Sequence, residues 1–276
     1  MTHHDRPTAL ITGGSKGIGL ELAREFARHG HDLVLVARDE HGLKQAAAGI
    51  EDETGVRVTT HALDLTRDAA MEELFKSMAA TQVDVLVNNA GIGDSGPFAE
   101  SDPDRQMAML RLNVLSLTRL THHFLQPMLA RGYGRILNVA SLVGYFAGGP
   151  NWISYVASKS YVLSFTRGLA GELRGTGVTI TALCPGASAT NFVVDAHVAE
   201  TRTYRWLPKV SIPRVARAGY RATMAGRTTV IPGSINMVLA FLGELHPRSI
   251  AMAVFAFLSR RVSNPGLPRI KVGTSE

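Results

Sequence analysis

Short apolar segments alternate with longer amphipathic stretches along most of the chain. Runs of about four to eight apolar residues predict buried strands, and apolar positions three to four residues apart predict helices. Strands are predicted at Thr8–Thr12 and near 33–36, 56–62, 83–87, 135–140, 178–184 and 229–231, and helices near 17–29, 40–53, 67–79, 103–131, 152–174 and 213–225. This alternation is typical of a parallel sheet covered by helices on both faces.

The alternation indicates one folding unit. No linker or internal repeat divides residues 1–276, and right-handed crossovers then give a single Rossmann-type doubly wound sheet of the α/β class. The pattern breaks between about 185 and 210. Long irregular segments inside compact domains are usually functional, so residues 191–225 are interpreted as a substrate loop and lid, with Tyr204 and Trp206 as lid candidates.

Cysteine usage limits the chemistry and the compartment. Cys184 is the only cysteine in the sequence, which excludes an intrachain disulfide and a cysteine-based metal site, and no metal site is predicted. A chain without disulfides suits a reducing compartment. The N-terminal residues lack the apolar stretch of a signal peptide, and we expect a cytoplasmic protein.

The net charge of +6 raises the question of nucleic-acid binding. The 29 basic residues are scattered, however, and no compact Lys/Arg run with interleaved aromatic residues occurs. We therefore expect no nucleic-acid partner. An anionic cofactor or anionic lipid explains a basic surface better.

A glycine-rich segment lies between the first predicted strand and the first helix. Its sequence, Thr12-Gly13-Gly14-Ser15-Lys16-Gly17-Ile18-Gly19, has the spacing Gly-x-x-x-Gly-x-Gly. Glycines here permit a tight turn and let the backbone approach a pyrophosphate at the helix N-terminus. The segment predicts a dinucleotide site, although an ordinary strand-to-helix turn has a similar composition.

The end of the second predicted strand bears on the choice of dinucleotide. An acidic residue about 20 residues after the last glycine would bind the ribose diol of NAD and repel the 2′-phosphate of NADP. The chain has Ala37, Arg38 and Asp39 there, and Lys16 supplies a second cation. Because Arg38 and Lys16 suit a phosphate, NADP(H) is preferred over NAD(H). Asp39 is the competing residue, since a shift of one position would direct it to the ribose.

Tyr155 and Lys159 are four residues apart in a predicted helix and therefore share one helix face. A free phenol has a pKa of roughly 10, and a neighbouring ammonium favours its ionised form. Such pairs also arise by chance. With Ser141 and Asn113 earlier in the chain, this pair is interpreted as an acid–base device.

Taken together, these motifs resemble the short-chain dehydrogenase/reductase family, and in particular its carbonyl reductases. The resemblance extends from Thr8 to about Gly233. The matching motifs, in order, are Thr12 to Gly19, Asp64, Asn88-Asn89-Ala90-Gly91, Asn113, Ser141, Tyr155 with Lys159, and Pro185-Gly186. Several motifs in one order are far more specific than any one of them.

The resemblance implies a set of cofactor-binding residues. They are Gly13, Ser15, Lys16, Gly17, Ile18, Gly19, Arg38, Asp64, Leu65, Asn89, Ala90, Gly91, Tyr155, Lys159, Pro185, Gly186 and Thr190. It implies that Asp64 and Leu65 flank the adenine and that Pro185-Gly186 lines the nicotinamide. In isolation, Asp64 would be interpreted as a strand end and Asn88-Asn89 as a turn.

The resemblance also implies a catalytic tetrad. Tyr155 is the acid in reduction and the base in oxidation, and Ser141 hydrogen-bonds the substrate oxygen. Lys159 lowers the pKa of Tyr155 and holds the nicotinamide ribose. Asn113 is expected to disturb its helix and to hold a water that extends a proton relay to Lys159. Without the resemblance, Asn113 would be a polar residue on an exposed helix face.

The predicted substrate side is apolar. Candidate lining residues are Ile92, Phe98, Val143, Tyr145, Phe146, Trp152, Phe192 and Val193. An apolar mouth favours a small hydrophobic ketone, aldehyde or secondary alcohol over a sugar. The alternative for each of these residues is a place in the core.

An apolar, helical C-terminal extension is predicted over 234–276. Its apolar runs, 235–242 and 250–258, are shorter than the roughly 20 residues that a transmembrane helix needs. The extension could cover the substrate cleft, pack against another subunit or lie on a membrane surface. Membrane contact, with Arg260 and Arg261 near the headgroups, ranks behind the other two.

The leading hypothesis is an NADPH-dependent reductase of a hydrophobic ketone or aldehyde that also oxidises the alcohol. One alternative is a non-catalytic regulator that senses the NADP redox state, although such a protein would be expected to lose Tyr155 or Lys159. Another is a membrane-surface reductase of lipid, steroid or 3-oxoacyl substrates. The resemblance further implies a homodimer or homotetramer packed through the helices near 103–131 and 152–174.

Overall fold

The computed structural model describes residues 6–146, 148–186 and 209–244. Within these ranges, seven strands form one parallel sheet in the order β3-β2-β1-β4-β5-β6-β7. The strands are β1 Thr8–Thr12, β2 Asp32–Ala37, β3 Val58–Ala62, β4 Val85–Asn88, β5 Gly134–Val139, β6 Val178–Leu183 and β7 Thr229–Val230. The predicted α/β class and doubly wound parallel sheet are confirmed.

Helices connect the strands and cover both faces of the sheet. They are α1 Gly17–Arg28, α2 Glu40–Thr54, α3 Asp68–Ser77, α4 Pro103–Leu110, α5 Leu117–Ala130, α6 Ile153–Glu172, α7 Ile212–Met224 and α8 Ser234–Glu244. A π-helix, Arg111–Ser116, joins α4 to α5, and a 3₁₀ turn, Leu142–Tyr145, follows β5. The single long helix predicted near 103–131 is therefore interrupted in its middle.

The core follows from the two-residue period of the strands. Ala9 and Ile11 of β1 point to the face covered by α1, α2 and α7, while Leu10 points to the face covered by α3, α5 and α6. Phe26 of α1 is fully buried on the first face. Burial of one such side chain contributes about 1.5–3 kcal/mol, so both layers hold the sheet firmly.

The strand order reverses between β1 and β4. β1 pairs with β2 on one side and with β4 on the other, so the connections leave the sheet in opposite directions at this point. A crevice at the carboxyl ends of the strands results, which is where doubly wound sheets bind ligands. The glycine turn after β1 and the Asn88-Asn89-Ala90-Gly91 segment after β4 both begin there.

Helix α8 is the described part of the C-terminal extension. Asn236, Ala240 and Gly243 form its buried face, and a β-carbon on Gly243 would lie 2.9 Å from the Tyr145 carbonyl oxygen. Leu239 is partly buried, and five other large apolar side chains of α8 are exposed, namely Ile235, Met237, Val238, Phe241 and Leu242. Among the helices that the structure describes, none is long and apolar enough to cross a membrane.

Candidate active site

The glycine turn packs tightly against the start of α1. Gly13 and Gly17 have φ angles of +67° and +60°, which residues with a side chain rarely adopt. A β-carbon on Gly19 would overlap the Gly13 carbonyl oxygen and the Asn89 side chain. Glycine is therefore required at 19 for α1 to begin directly behind the turn, with its N-terminal amides facing the crevice.

Asn89 and Thr12 brace this turn from the neighbouring strand. Asn89 Nδ2 donates to the carbonyl oxygens of Thr12 and Gly13 at 2.9 and 3.1 Å. The backbone amides of Asn89 and Ala90 both donate to Thr12 Oγ1 at 3.0 Å. The sequence placed Asn89 and Ala90 near the cofactor, and the structure shows that they also fix the shape of the glycine turn.

The residues predicted to select the dinucleotide lie at the rim of the crevice. Arg38 and Lys16 are exposed. Asp39 is the N-cap of α2, and its Oδ1 accepts a hydrogen bond from the Gly42 amide at 3.0 Å. This bond turns the Asp39 carboxylate toward its own helix, so a β-carbon on Gly42 would lie 2.5 Å from Asp39 Oδ2.

The predicted adenine side is formed by the turn after β3. Asp64 Oδ1 accepts hydrogen bonds from the Thr66 amide at 3.0 Å and from the Thr66 hydroxyl at 2.8 Å, which holds the turn closed. Leu65 is buried and lines a narrow recess together with Ala90 and Leu112. Asp64 thus shapes the turn, while Leu65 supplies an apolar surface.

Asn113 lies inside the π-helix and is almost fully buried. Its Oδ1 accepts from the Ile92 amide at 3.0 Å, and its Nδ2 donates to the Ile92 carbonyl at 2.9 Å and to Ser158 Oγ at 3.1 Å. Ser158 Oγ donates in turn to the Tyr155 carbonyl at 2.8 Å. Asn113 therefore connects the segment after β4 to the helix that carries Tyr155 and Lys159.

Lys159 is buried beside Gly91. Its Nζ donates to the Val139 carbonyl at 2.9 Å and lies 5.9 Å from the centroid of the Tyr155 ring. A β-carbon on Gly91 would lie 3.5 Å from Lys159 Nζ and 3.0 Å from Asn113 Oδ1. The absence of a side chain at Gly91 leaves space in front of both polar groups.

Burial controls the ionisation of the Tyr155–Lys159 pair. Burial raises the pKa of Tyr155 to about 12, and a hydrogen bond with Ser141 opposes this shift. Burial lowers the pKa of Lys159 from 10.5 to about 8. The expected lowering of the tyrosine pKa by Lys159 is not found in the protein alone, because desolvation of the phenol dominates and the ammonium is directed to Val139.

The turn that carries Ser141 is held against α6 and β6. Ser141 caps the 3₁₀ turn, and the Leu142 amide donates to the Pro185 carbonyl at 2.8 Å. A β-carbon on Gly144 would lie 2.7 Å from the Lys159 carbonyl oxygen, so α6 approaches the turn closely. Ser141, Pro185 and helix α6, which carries Tyr155 and Lys159, are thereby brought together.

The far edge of the crevice is closed by α8. A β-carbon on Gly186 would lie 2.5 Å from both Nδ2 and Oδ1 of Asn236, which is buried and donates to the Pro232 carbonyl at 2.6 Å. The sequence pattern did not single out Asn236. Thr190, Phe192, Val193, Tyr204 and Trp206 lie outside the described residues.

Several predicted lining residues belong to the core instead. Tyr145, Phe146 and Trp152 are buried in a cluster that also contains Tyr155, and the Trp152 and Tyr155 ring centroids are 5.7 Å apart. Phe98 is on the surface with 59% exposure. The apolar mouth is thus narrower than predicted. Ile92 and Val143 are its partly buried described members, because they pack against this cluster from outside.

Tyr145 is buried between the end of β6 and helix α6. Its hydroxyl is hydrogen-bonded with Cys184, and burial raises the pKa of both groups, that of Cys184 to about 12. The Arg167 guanidinium lies 5.1 Å from the Tyr145 ring centroid and pairs with Glu244 at 2.5 Å. This contact fastens the end of α8 to α6. No metal-binding cluster of His, Cys, Asp or Glu occurs in the described ranges.

The fold agrees with what comparison with known proteins shows. The sequence model of the short chain dehydrogenase family matches residues 7–200. The chain belongs to this family, and it is an oxidoreductase that interconverts alcohol and carbonyl groups. A ketoacyl reductase of Nostoc sp., HetN, is 32% identical over 260 residues, which cover 91% of this chain and 88% of that protein.

Two solved structures show the same fold. A short-chain dehydrogenase from Sphingobium yanoikuyae in complex with NADPH is 34% identical with a TM-score of 0.76, and the match covers 83% of this chain and 88% of that chain. A bulky-bulky ketone specific alcohol dehydrogenase from Comamonas testosteroni is 29% identical with a TM-score of 0.72, covering 87% and 95% of the two chains. A nicotinamide cofactor is therefore indicated.

Proposed function

We propose that this protein is an NADPH-dependent reductase of hydrophobic ketones or aldehydes, with Tyr155 as the proton donor. One observation carries the proposal. Tyr155 is hydrogen-bonded with Ser141, and Lys159 Nζ lies 5.9 Å from its ring at the carboxyl edge of the sheet. A buried phenol between a hydroxyl and an ammonium is suited to give a proton to a carbonyl oxygen.

The residues present fit a nicotinamide dinucleotide. Gly19 and Gly13 allow the backbone to approach a pyrophosphate, and the space in front of Gly91 leaves Lys159 Nζ within reach of a ribose hydroxyl. Arg38 and Lys16 are exposed cations at the end where a 2′-phosphate would lie. Asp39 caps α2 rather than facing a ribose diol, which supports NADP(H) over NAD(H).

In reduction, bound NADPH supplies a hydride to the carbonyl carbon of the substrate. Ser141 donates a hydrogen bond to the substrate oxygen as negative charge develops there. Tyr155 gives its proton to that oxygen. Lys159, with a pKa of about 8, is mostly charged at neutral pH and favours the phenolate that remains. Asn113 holds the segment around Ile92 at a fixed distance from α6 through its three hydrogen bonds. A water bound near Asn113 would extend a proton relay to Lys159.

The substrate is proposed to be apolar near its carbonyl group. Ile92 and Val143 flank the site, and neither is charged or offers a side-chain hydrogen bond. The Comamonas testosteroni relative is a ketone specific alcohol dehydrogenase, which supports a ketone substrate. A second candidate is a 3-oxoacyl thioester, which the likeness to the Nostoc ketoacyl reductase favours.

A substrate panel followed by NADPH absorbance tests both candidates. Aryl and alkyl ketones should be reduced, and a 3-oxoacyl thioester that is reduced with a much higher kcat/KM would select the second candidate.

Tyr155→Phe should lower kcat by at least about 1,000-fold while NADPH binding stays nearly unchanged, because only the proton donor is lost. Unchanged turnover in that variant would exclude Tyr155 as the donor.

The remaining sequence-based expectations are part of the same proposal. We propose one catalytic domain over 1–276, with the part of 191–225 before α7 as substrate loop and lid and 234–276 as an extension that covers the cleft or a second subunit. The predicted lid does not include α7, because Val215 and Ala216 pack in the core beneath it. We also propose that the protein works in the cytoplasm as a homodimer or homotetramer. Its single cysteine, Cys184, is buried, which suits a reducing compartment.

A further inference from the structure

Ser116 occupies the last position of the π-helix and is buried. Its Oγ lies 2.6 Å from the Leu65 carbonyl oxygen and 2.9 Å from the Arg111 carbonyl oxygen. Both partners are acceptors, and a hydroxyl has one hydrogen to donate, so the two carbonyls share that hydrogen. Ser116 thus joins the turn after β3 to the beginning of the π-helix.

The bond to Arg111 depends on the register of the helix. Serine and threonine hydroxyls in ordinary helices bond to the carbonyl three or four residues earlier, as Thr166 does with Val162 of α6 at 2.7 Å. Ser116 reaches back five residues, which matches the wider turn of a π-helix. Because Asn113 lies inside that turn, the register decides where its side chain points.

We propose that Ser116 is a positioning residue that holds Asn113 in its catalytic orientation and couples it to the adenine side of the cofactor site. This inference rests on the proposed function. On one side, Ser116 fixes the Leu65 carbonyl at the proposed adenine surface. On the other, it stabilises the π-helix in which Asn113 bonds Ile92 and Ser158. Occupation of the adenine side is thereby linked to the order of the catalytic helix.

Ser116→Ala removes the shared hydrogen bond with little change in volume. We expect kcat at saturating NADPH to fall about tenfold, because a displaced Asn113 would support the catalytic helix less well by an energy of about one hydrogen bond. Binding of adenosine 2′,5′-bisphosphate, which carries only the adenine and 2′-phosphate half, should weaken about threefold. Amide hydrogen exchange over residues 111–116 should become faster. Ser116→Cys keeps the volume with a weak donor and should behave like Ser116→Ala.

Ser77→Ala is the matched control. Ser77 Oγ donates to the Leu74 carbonyl at 2.8 Å at the end of α3, so the same atoms are removed from another helix. This variant should leave kcat, bisphosphate binding and exchange over 111–116 unchanged. Equal effects of Ser77→Ala and Ser116→Ala would overturn the proposal.

A double-mutant cycle separates positioning from general destabilisation. If Ser116 acts through Asn113, then Ser116→Ala should not lower kcat further in an Asn113→Ala background, whereas independent effects would multiply. An unchanged kcat in Ser116→Ala, or multiplied effects in the double variant, overturns the inference. If the wild type reduces no carbonyl, the proposed function fails instead. In that case the role of Ser116 is tested without activity. It would be refuted if Ser116→Ala changed neither the binding of adenosine 2′,5′-bisphosphate nor amide hydrogen exchange over residues 111–116.

Discussion

At the scale of single residues, Lys159 is a buried cation that lowers the stability of the folded protein. Only 6% of its surface is exposed, and burial lowers its pKa from 10.5 to about 8. At neutral pH this lowering of the pKa reduces the free energy of unfolding by ~3 kcal/mol, because the charged form of Lys159 is disfavoured in the folded protein. The hydrogen bond to the Val139 carbonyl offsets part of it.

Lys159→Met should therefore abolish reduction and yet stabilise the protein. Methionine keeps the apolar stem and removes the buried charge, so at pH 7 and without cofactor we expect the free energy of unfolding to rise by about 1 kcal/mol. Because the lysine opposes folding fully below about pH 8, this advantage should shrink between pH 8 and 10.5. Denaturant unfolding at pH 7 and pH 10 measures it. A variant less stable than wild type at pH 7 would show that the Val139 bond outweighs the burial.

The proposed preference for NADP(H) rests most directly on Arg38. We expect Arg38→Asp to shift the ratio of kcat/KM for NADPH to that for NADH at least about 100-fold toward NADH, since a phosphate partner is lost and a repulsive charge is added. Steady-state kinetics with both cofactors measures the ratio. Arg214→Asp on α7 is also exposed and changes the net charge equally, and it should leave the ratio unchanged. A constant ratio in Arg38→Asp would mean that other residues select the cofactor.

At the scale of elements, the sequence patterns predicted the strands and most helices, because local residue types determine these elements. The strands were found to within about three residues because short apolar runs such as Leu33–Val36 can only be buried. The apolar spacing did not locate the π-helix, because an α-helix and a helix with one wider turn differ by a single residue. A disturbed helix at Asn113 was expected from the family resemblance alone, and Asn113 does lie inside the π-helix. Sequence alone left Tyr145 between the substrate mouth and the core, and the contact of Asn236 with Gly186 was missed. Both depend on α8, which reaches the site from far along the chain.

The contact between the glycine turn and α1 allows a sharp test at this scale. Gly19→Ala places a methyl group onto the Gly13 carbonyl, so α1 must move away from the turn, and we expect NADPH affinity to fall at least about tenfold. Gly49→Ala in α2 meets nothing within 4 Å and should stabilise by about 0.5–1 kcal/mol without affecting binding. Fluorescence titration with NADPH and thermal unfolding report the two effects. Wild-type affinity in Gly19→Ala would show that the turn tolerates displacement of α1.

At the scale of the whole molecule, the candidate site lies at the carboxyl edge of the sheet, while exposed apolar side chains lie on the outer faces of the helices. Thr118 of α5 and Tyr161 of α6 are hydrogen-bonded at 2.9 Å on an exposed face, with the Phe165 ring stacked on Tyr161. Leu115 is 60% exposed in the preceding π-helix. Single exposed apolar residues are normal, but such a group on adjacent helices marks an interaction surface. We propose that this α5–α6 face is the surface through which the subunits assemble.

Tyr161→Glu tests that assembly surface. A buried, unpaired carboxylate would be costly at a subunit interface, so we expect the wild-type oligomer, measured by light scattering coupled to gel filtration, to dissociate toward monomers. Phe241→Glu is the matched control, because Phe241 is 64% exposed and belongs to α8 rather than to α5 or α6. It should leave the oligomer intact. Dissociation by Phe241→Glu alone would move the interface to α8, and a monomeric wild type would remove it altogether.

Dissociation should also affect activity, because α6 carries both Tyr161 and the proposed proton donor Tyr155. We therefore expect Tyr161→Glu to lower kcat as well as the molar mass of the assembly, which links the assembly to the site.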